Sequence, residues 1–165
     1  IFRELNAKKP NKYHLFIAGG FGQDTNKIKH LISYYELKKN ISYKQNLLNS
    51  EISTLLRLSK FFCLFSKEVN KEFEGFGIVF LEAMFTKNII LSSKHGGIQN
   101  IIQNNKNGYL FNIKRRDAKP NIIKKIEFIS KNEKERKRII GNAYSSSFNY
   151  SWDKNISEIL NLSLK

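Results

Sequence analysis

The stretch Glu74-Gly75-Phe76-Gly77-Ile78-Val79-Phe80-Leu81-Glu82 decides how the rest of the chain is read. Two glutamates bracket seven residues, and a Gly-x-Gly follows the first of them. An apolar run then extends from Ile78 to Phe85. Gly75 and Gly77 suit a tight approach to a helix, because glycine reaches backbone angles other residues avoid and lets a ligand come close. The amides of the first helical turn have no partner within the helix, so they can hold a phosphate. Glu74 then stands in the loop before the helix, and Glu82 one to two turns inside it. A carboxylate on an apolar helix needs a reason, since an unpaired charge is costly to bury. An ordinary loop-to-helix junction can also carry a Gly-x-Gly, with Glu82 solvated or paired to a lysine.

Outward from that stretch, apolar runs alternate with helical patterns. Residues 1–9 read as the end of a helix stopped by Pro10. Tyr13 to Ala18 reads as a buried strand closed by Gly19-Gly20-Phe21-Gly22. Asp24 or Thr25 can cap a helix over 25–37 that turns Ile28, Leu31, Ile32 and Tyr35 to one side. Asn40 to Tyr43 is a short strand, and Ser50 is placed to cap a helix over 51–59. Phe61 to Phe65 is the next strand, followed by a charged loop over 66–73. Asn88 to Ser92 is a fourth strand, ending in Ser93-Lys94-His95-Gly96-Gly97 and a short helix through Ile101 and Ile102. Asn107-Gly108 marks a turn before the edge strand Tyr109-Leu110-Phe111. Pro120 fits a first helical position, with Ile122, Ile123, Ile126 and Ile129 facing inward. Residues 131–138 read as a solvated helix junction before a helix from Ile139 to about Phe148. Ser151 caps a last helix carrying Trp152.

Strand and helix alternate throughout, and the strands are near-continuous apolar runs. Both features belong to an α/β fold with a Rossmann-like parallel sheet covered by helices on both faces. Ligands of such sheets bind beyond the carboxyl ends of the strands. Three strand ends here carry glycine, at Gly19-Gly20, Gly75 and Gly96-Gly97.

Composition narrows the function classes. The 165 residues suit one domain, and no run of eighteen apolar residues occurs. The 29 Lys and Arg against 14 Asp and Glu give a net charge of +15. That balance favours a polyanionic partner such as anionic lipid, nucleic acid or a phosphorylated substrate. The same lysine- and asparagine-rich bias also arises from AT-rich coding sequence. No zinc module, aromatic RNA-binding signature or helix-turn-helix pattern supports nucleic acid, so none is expected as a partner. Cys63, the single cysteine, lies in an apolar strand and reads as a core residue rather than a nucleophile or disulfide half. A reducing, cytoplasmic setting follows. Asp24, Asp117 and Asp153 are scattered, and His14, His30 and His95 have no ligand spacing, so no metal is expected. The Gly-x-Gly follows the third strand rather than the first, which disfavours a dehydrogenase.

The central stretch resembles the carboxyl-terminal domain of family 4 retaining glycosyltransferases of the GT-B fold. That family's mark is Glu, seven residues, Glu, written here as Glu74-Gly75-Phe76-Gly77 through Glu82-Ala83-Met84. Phe16-Ile17-Ala18-Gly19-Gly20, Leu58-Ser59-Lys60, Ser66, Gly96-Gly97-Ile98, Asn107-Gly108-Tyr109-Leu110 and Ser151-Trp152 follow in the family's order. Lys87 and Ile89 stand where the family has glycine and proline, and Gln99-Asn100 where it has Pro-Glu.

The resemblance implies a UDP- or GDP-sugar donor, a glycan or lipid-linked acceptor, and no metal or other cofactor. It implies retention of anomeric configuration, in the synthesis of a bacterial surface polysaccharide. It places Glu74 at the catalytic centre against the donor sugar. It gives donor binding to Gly19, Gly20, Gly75, Phe76, Gly77, Ile78, Val79, Glu82, His95, Gly96, Gly97 and Ile98. Glu82 takes the ribose hydroxyls and the Gly77 and Ile78 amides the diphosphate. Tyr43 is either a base contact or an ordinary structural aromatic. The resemblance also implies an amino-terminal acceptor domain and a first strand, with phosphate-gripping Arg and Lys, ahead of these residues. A fragment of this kind transfers nothing alone, and the whole enzyme lies in the cytoplasm, peripheral on the inner membrane face. The alternative is a noncatalytic nucleotide-binding module on the same fold, which binds ligand without transfer.

Overall fold

The computed structural model describes residues 1–66 and 77–150. In chain order the elements are α1 (Phe2–Lys8), β1 (Leu15–Gly19), α2 (Thr25–Tyr34), β2 (Ile41–Gln45) and α3 (Asn49–Leu58). Then come β3 (Phe61–Leu64), α4 (Ile78–Phe85), β4 (Ile89–Ser93), α5 (Ile98–Ile101) and β5 (Tyr109–Phe111). Helices α6 (Ala118–Lys131) and α7 (Glu133–Ser147) follow, with a 3-10 turn at Phe148–Tyr150. The expected α/β fold with parallel strands is present. Its sheet, among the described residues, is in two parts, and the chain divides into the compact units Ile1–Leu55 and Leu56–Lys165.

In the first unit β1 pairs in parallel with β2, Leu15 opposite Ile41 and Gly19 opposite Gln45. Two strands alone leave each an open side, so β1 is not the fully buried strand its sequence suggests. Phe16 and Ala18 are exposed. The face expected of α2 is likewise only part covered: Leu31 and Tyr35 are exposed, and the Arg3 guanidinium lies 4.5 Å from the centre of the Tyr35 ring. Asp24 holds the N-cap position but makes no capping bond. The buried Thr25 closes this end instead: its hydroxyl accepts from the Gly22 amide at 3.0 Å and from the Tyr43 hydroxyl at 3.3 Å. Helix α3 begins at Asn49, not after Ser50, because the Glu51 carboxylate reaches back to the Leu48 amide at 2.7 Å. That reach-back is half of a capping box.

In the second unit β4 lies between β3 and β5, all parallel. All five residues of β4 are buried, as a strand covered on both faces must be. Among the described residues strand β3 has a neighbour on one side only, and Cys63, expected in the core, is exposed. Ile122, Ile123, Ile126 and Ile129 bury one stripe of α6, as their spacing predicts, and Ile139 and Ala143 bury one of α7. Each such isoleucine contributes about 1.5–3 kcal/mol by leaving water. Pro120 is the third residue of α6 rather than the first, still within the turn whose amides lack helical partners.

Residues 133–138 are not a junction but the start of α7. The Asn132 side chain caps it by accepting from the Glu135 amide at 2.9 Å. Lys137 pairs with Glu133 at 2.9 Å across one turn, and Arg138 grips Glu135 through two nitrogens, each at 2.7 Å. The charged run is thus largely paired on its own helix. Arg138 also donates to Asn105 O, and Asn142 to Lys106 O, each at 2.9 Å, fixing α7 to the loop before β5. The Tyr109 hydroxyl completes this corner by donating to Glu135 at 3.0 Å.

Two polar positions hold the unit in register. Asn88 is fully buried just ahead of β4. Its amide donates to Leu56 O at 2.9 Å and Ser59 O at 2.7 Å, while its oxygen accepts from Thr86 at 2.7 Å. Gly108 is glycine for want of room. A Cβ there would lie 2.8 Å from Ile102 Cγ2 and 3.3 Å from the Ile90 backbone oxygen.

Candidate functional site

Because β3 and β4 are parallel neighbours, their carboxyl ends lie along one edge of the sheet. The segment after β4 leads through Gly96-Gly97 into α5, and Gly77 leads into α4. Gly77 has φ 60 and ψ 52, the left-handed conformation that glycine adopts without steric cost. The N-cap residue Gly77 offers no side chain to cap α4, and the first turn of the helix carries no acidic residue. Phe80 N bonds back to Gly77 O at 2.8 Å, and among the described residues the Ile78 and Val79 amides are left as first-turn donors of the kind that bind anions.

Glu82 lies on α4 as expected, but its setting differs from the expectation. Phe80, Ala83 and Met84 form the buried face of the helix, and Glu82 is exposed. No desolvation penalty therefore has to be explained. It is four positions on from Ile78, about 6 Å along a helix axis. Helical side chains lean toward the helix N-terminus, so the carboxylate leans toward the Gly77 end.

The β4 end is tied to the β3 end by side chains. Ser92 Oγ donates to Leu64 O at 2.6 Å, and Ser93 Oγ to Ser66 O at 3.0 Å. His95 Nε2 lies 2.8 Å from the same Ser66 O and 3.2 Å from Ser66 Oγ. Sequence reading missed this lacing. The available signal was two serines finishing a strand that is otherwise apolar, since buried hydroxyls require partners.

Gly96 has φ 54, again left-handed. Gly97 is different: it is right-handed helical, and an added Cβ would meet nothing within 4 Å. Neither backbone angle nor packing among the described residues requires glycine there. Ile98, by contrast, is buried and anchors α5. Gly19 and Gly20 end β1 in the first unit, also with nothing within 4 Å of an added Cβ. Tyr43, in that unit, directs its hydroxyl to Thr25.

Glu74, Gly75 and Phe76 lie outside the described residues, as do Ser151 and Trp152. The structure thus brings together Gly77, Ile78, Val79 and Glu82 on one helix, and His95, Gly96, Gly97 and Ile98 at the next strand end. Among the described residues no three His, Cys, Asp or Glu side chains cluster as a metal site would need, and no helix is long and apolar enough to cross a membrane. His14 bonds Ser42 at 2.9 Å and His30 stacks on Tyr34, so both have structural partners.

Three solved structures share the fold. HepE of Anabaena, solved with UDP-glucose, superposes with a TM-score of 0.77 at 20% identity, covering 99% of this chain and 44% of its own. A glycosyltransferase from Rickettsia africae gives 0.76 at 22% identity, covering 97% and 41%. The C-terminal domain of LpcC, a group 1 glycosyl transferase of Francisella tularensis, gives 0.65 at 22% identity, covering 90% and 91%. The chain therefore spans less than half the length of the first two proteins and nearly all of the isolated C-terminal domain. No curated protein matches it. The family model of the glycosyl transferases group 1 matches residues 1–146, and the chain belongs to that family.

Proposed function

We propose that this chain is the donor-binding part of an enzyme that moves a sugar from UDP or GDP to a glycan or lipid-linked acceptor. The observation that carries the reading is the shared edge of β3 and β4. There a helix starts at a left-handed Gly77, Glu82 stands exposed one turn on, and Gly97 is bare without structural need. The diphosphate sits against the Ile78 and Val79 amides, whose dipoles offset the negative charge that grows as the sugar leaves. Glu82 accepts hydrogen bonds from the ribose hydroxyls, about 6 Å further along the helix. Gly96-Gly97 closes on the sugar or diphosphate from the β4 side, and Glu74 faces the donor sugar as the catalytic carboxylate. Gly19 and Gly20, which end β1 in the first unit, are further donor-binding positions in this reading.

Transfer proceeds with retention of configuration and without a metal, and the product is a bacterial surface polysaccharide. The net charge of +15 suits a place on the anionic inner face of the membrane. Among the described residues β3 is open on one side, which suits a further strand in the complete domain. Phe61 to Leu64 are apolar on both faces, as interior parallel strands are. The acceptor domain precedes that strand, and without it this chain binds donor weakly and transfers nothing.

The test is titration with UDP, GDP and NAD, followed by amide NMR. One nucleoside diphosphate should shift the Gly77–Glu82 and Gly96–Ile98 amides selectively, and Glu82→Gln should weaken that ligand about tenfold or more, as expected for a charged hydrogen bond of roughly 1.5–3 kcal/mol. Unchanged affinity in Glu82→Gln would remove the ribose role. In the intact enzyme Glu74→Gln should reduce transfer more than binding of the bare nucleotide.

A further inference from the structure

His95 borders the loop that the proposed function gives to the donor, yet its contacts point inward, not to a ligand. Nε2 is 2.8 Å from the carbonyl oxygen of Ser66. A carbonyl only accepts, so Nε2 carries the proton. Ser93 Oγ donates to the same oxygen at 3.0 Å, filling its second lone pair. One step back, Ser92 Oγ donates to Leu64 O at 2.6 Å. The exit of β3 is thus held to the exit of β4 at two successive points, and His95 is the last of the links.

Backbone pairing alone does not do this. The β3–β4 register runs from Phe61–Ile89 to Leu64–Ser92 and stops there. Beyond it the two exits would diverge as separate loops, and side chains take over where the ladder ends. The residue after His95 is Gly96 with φ 54, and Gly97 then starts α5. Fixing the imidazole therefore fixes the chain direction just before the two glycines. The bond persists whether the ring is neutral or cationic, because both forms can carry the Nε2 proton.

We propose that His95 is a positioning residue rather than a donor contact. Through its Nε2–H bond to Ser66 O it sets the placement of Gly96-Gly97 against the nucleotide. This rests on the donor-binding reading above. Ser93 shares the task, so the two side chains act as a unit on one carbonyl.

Two measurements on the intact protein test it. Long-range proton–nitrogen correlation of the imidazole should show the Nε2–H tautomer of His95; the Nδ1–H tautomer would overturn the proposal, since Nε2 could then not donate to a carbonyl. The second is the affinity for the nucleoside diphosphate that the wild type binds, with the thermal midpoint in parallel. His95→Ala should weaken binding about tenfold, with the midpoint moved by no more than about 4 °C, the equivalent of one lost hydrogen bond. His95→Gln, whose amide can donate to the same oxygen, should recover to within about threefold of wild type. Ser93→Ala should cost little, and the double variant Ser93→Ala with His95→Ala more than the product of the two, as coupled partners do. Equal losses in His95→Ala and His95→Gln with Ser93→Ala additive would show a direct ligand contact and overturn positioning. A fallen midpoint with unchanged affinity would overturn it in favour of a purely structural bond. A wild type that binds no nucleoside diphosphate would remove the parent reading and this one with it, whereas a binding wild type with an unaffected His95→Ala removes this one alone.

Discussion

Replacing Asn88 with alanine tests how the second unit keeps its β4 strand in place. The side chain is fully buried and makes three hydrogen bonds, to Leu56 O, Ser59 O and Thr86 Oγ1, at 2.7–2.9 Å. The partners are not all stranded by its loss. Leu56 O keeps the Ser59 amide, and Thr86 Oγ1 still reaches Glu82 O. Each bond is then worth about 1 kcal/mol net rather than a full desolvation penalty, for a total of about 2–3 kcal/mol. For a chain of this size that corresponds to a fall of roughly 4–12 °C in thermal midpoint. Asn88→Asp separates hydrogen bonding from volume. It keeps the size and the acceptor for Thr86, but sets a carboxylate oxygen against two carbonyl oxygens. It should be at least as damaging as alanine at neutral pH, and should recover in acid as the carboxyl protonates and regains a donor. The assay is a thermal melt of the three proteins across pH 4 to 8. An Asn88→Ala midpoint within about 1 °C of wild type, or an Asn88→Asp protein milder than alanine at pH 7, would refute the assignment.

Other substitutions read different features. Gly108→Ala puts a methyl 2.8 Å from Ile102 Cγ2 and should cost about 1–3 kcal/mol in a denaturant melt, as overpacked sites do. Gly77→Ala places a side chain at φ 60 and should cost roughly 1–2 kcal/mol, while weakening the nucleoside diphosphate in calorimetry. Arg138 holds the Glu135 carboxyl below its ordinary value of 4.5, aided by the Tyr109 hydroxyl. A depressed carboxylate stabilises the fold above the unfolded value, and that contribution is lost as pH falls through the lower folded value. Melts between pH 7 and pH 3 should show Glu135→Gln losing less stability on acidification than the wild type, with the two curves converging below about pH 4.5.

The α/β reading and most elements are legible in the sequence because they are written locally. The apolar stripe of Ile122, Ile123, Ile126 and Ile129 specifies the buried side of α6 wherever the helix goes. The run Ile89 to Leu91 reads as a strand covered on both faces, and it is buried throughout. Gly77 was marked by needing a conformation other residues avoid, and the structure has it there, at φ 60. The start of α7 was less legible. Six charged residues over 133–138 look like solvated chain until each carboxylate is matched to the cation one turn on and Asn132 is seen as the cap.

What the sequence by itself determined was where most of the described helices and strands lie, and that glycines mark the strand ends. Periodicity and backbone permissiveness are properties of a few consecutive residues. Only the tertiary structure decided that Glu82 is exposed, that Cys63 lies on an open strand, and that Gly108 has no space for a methyl group. It alone joined His95 to Ser66, 29 residues apart. Exposure and side-chain partnership depend on what distant segments bring alongside, and no local pattern carries that information.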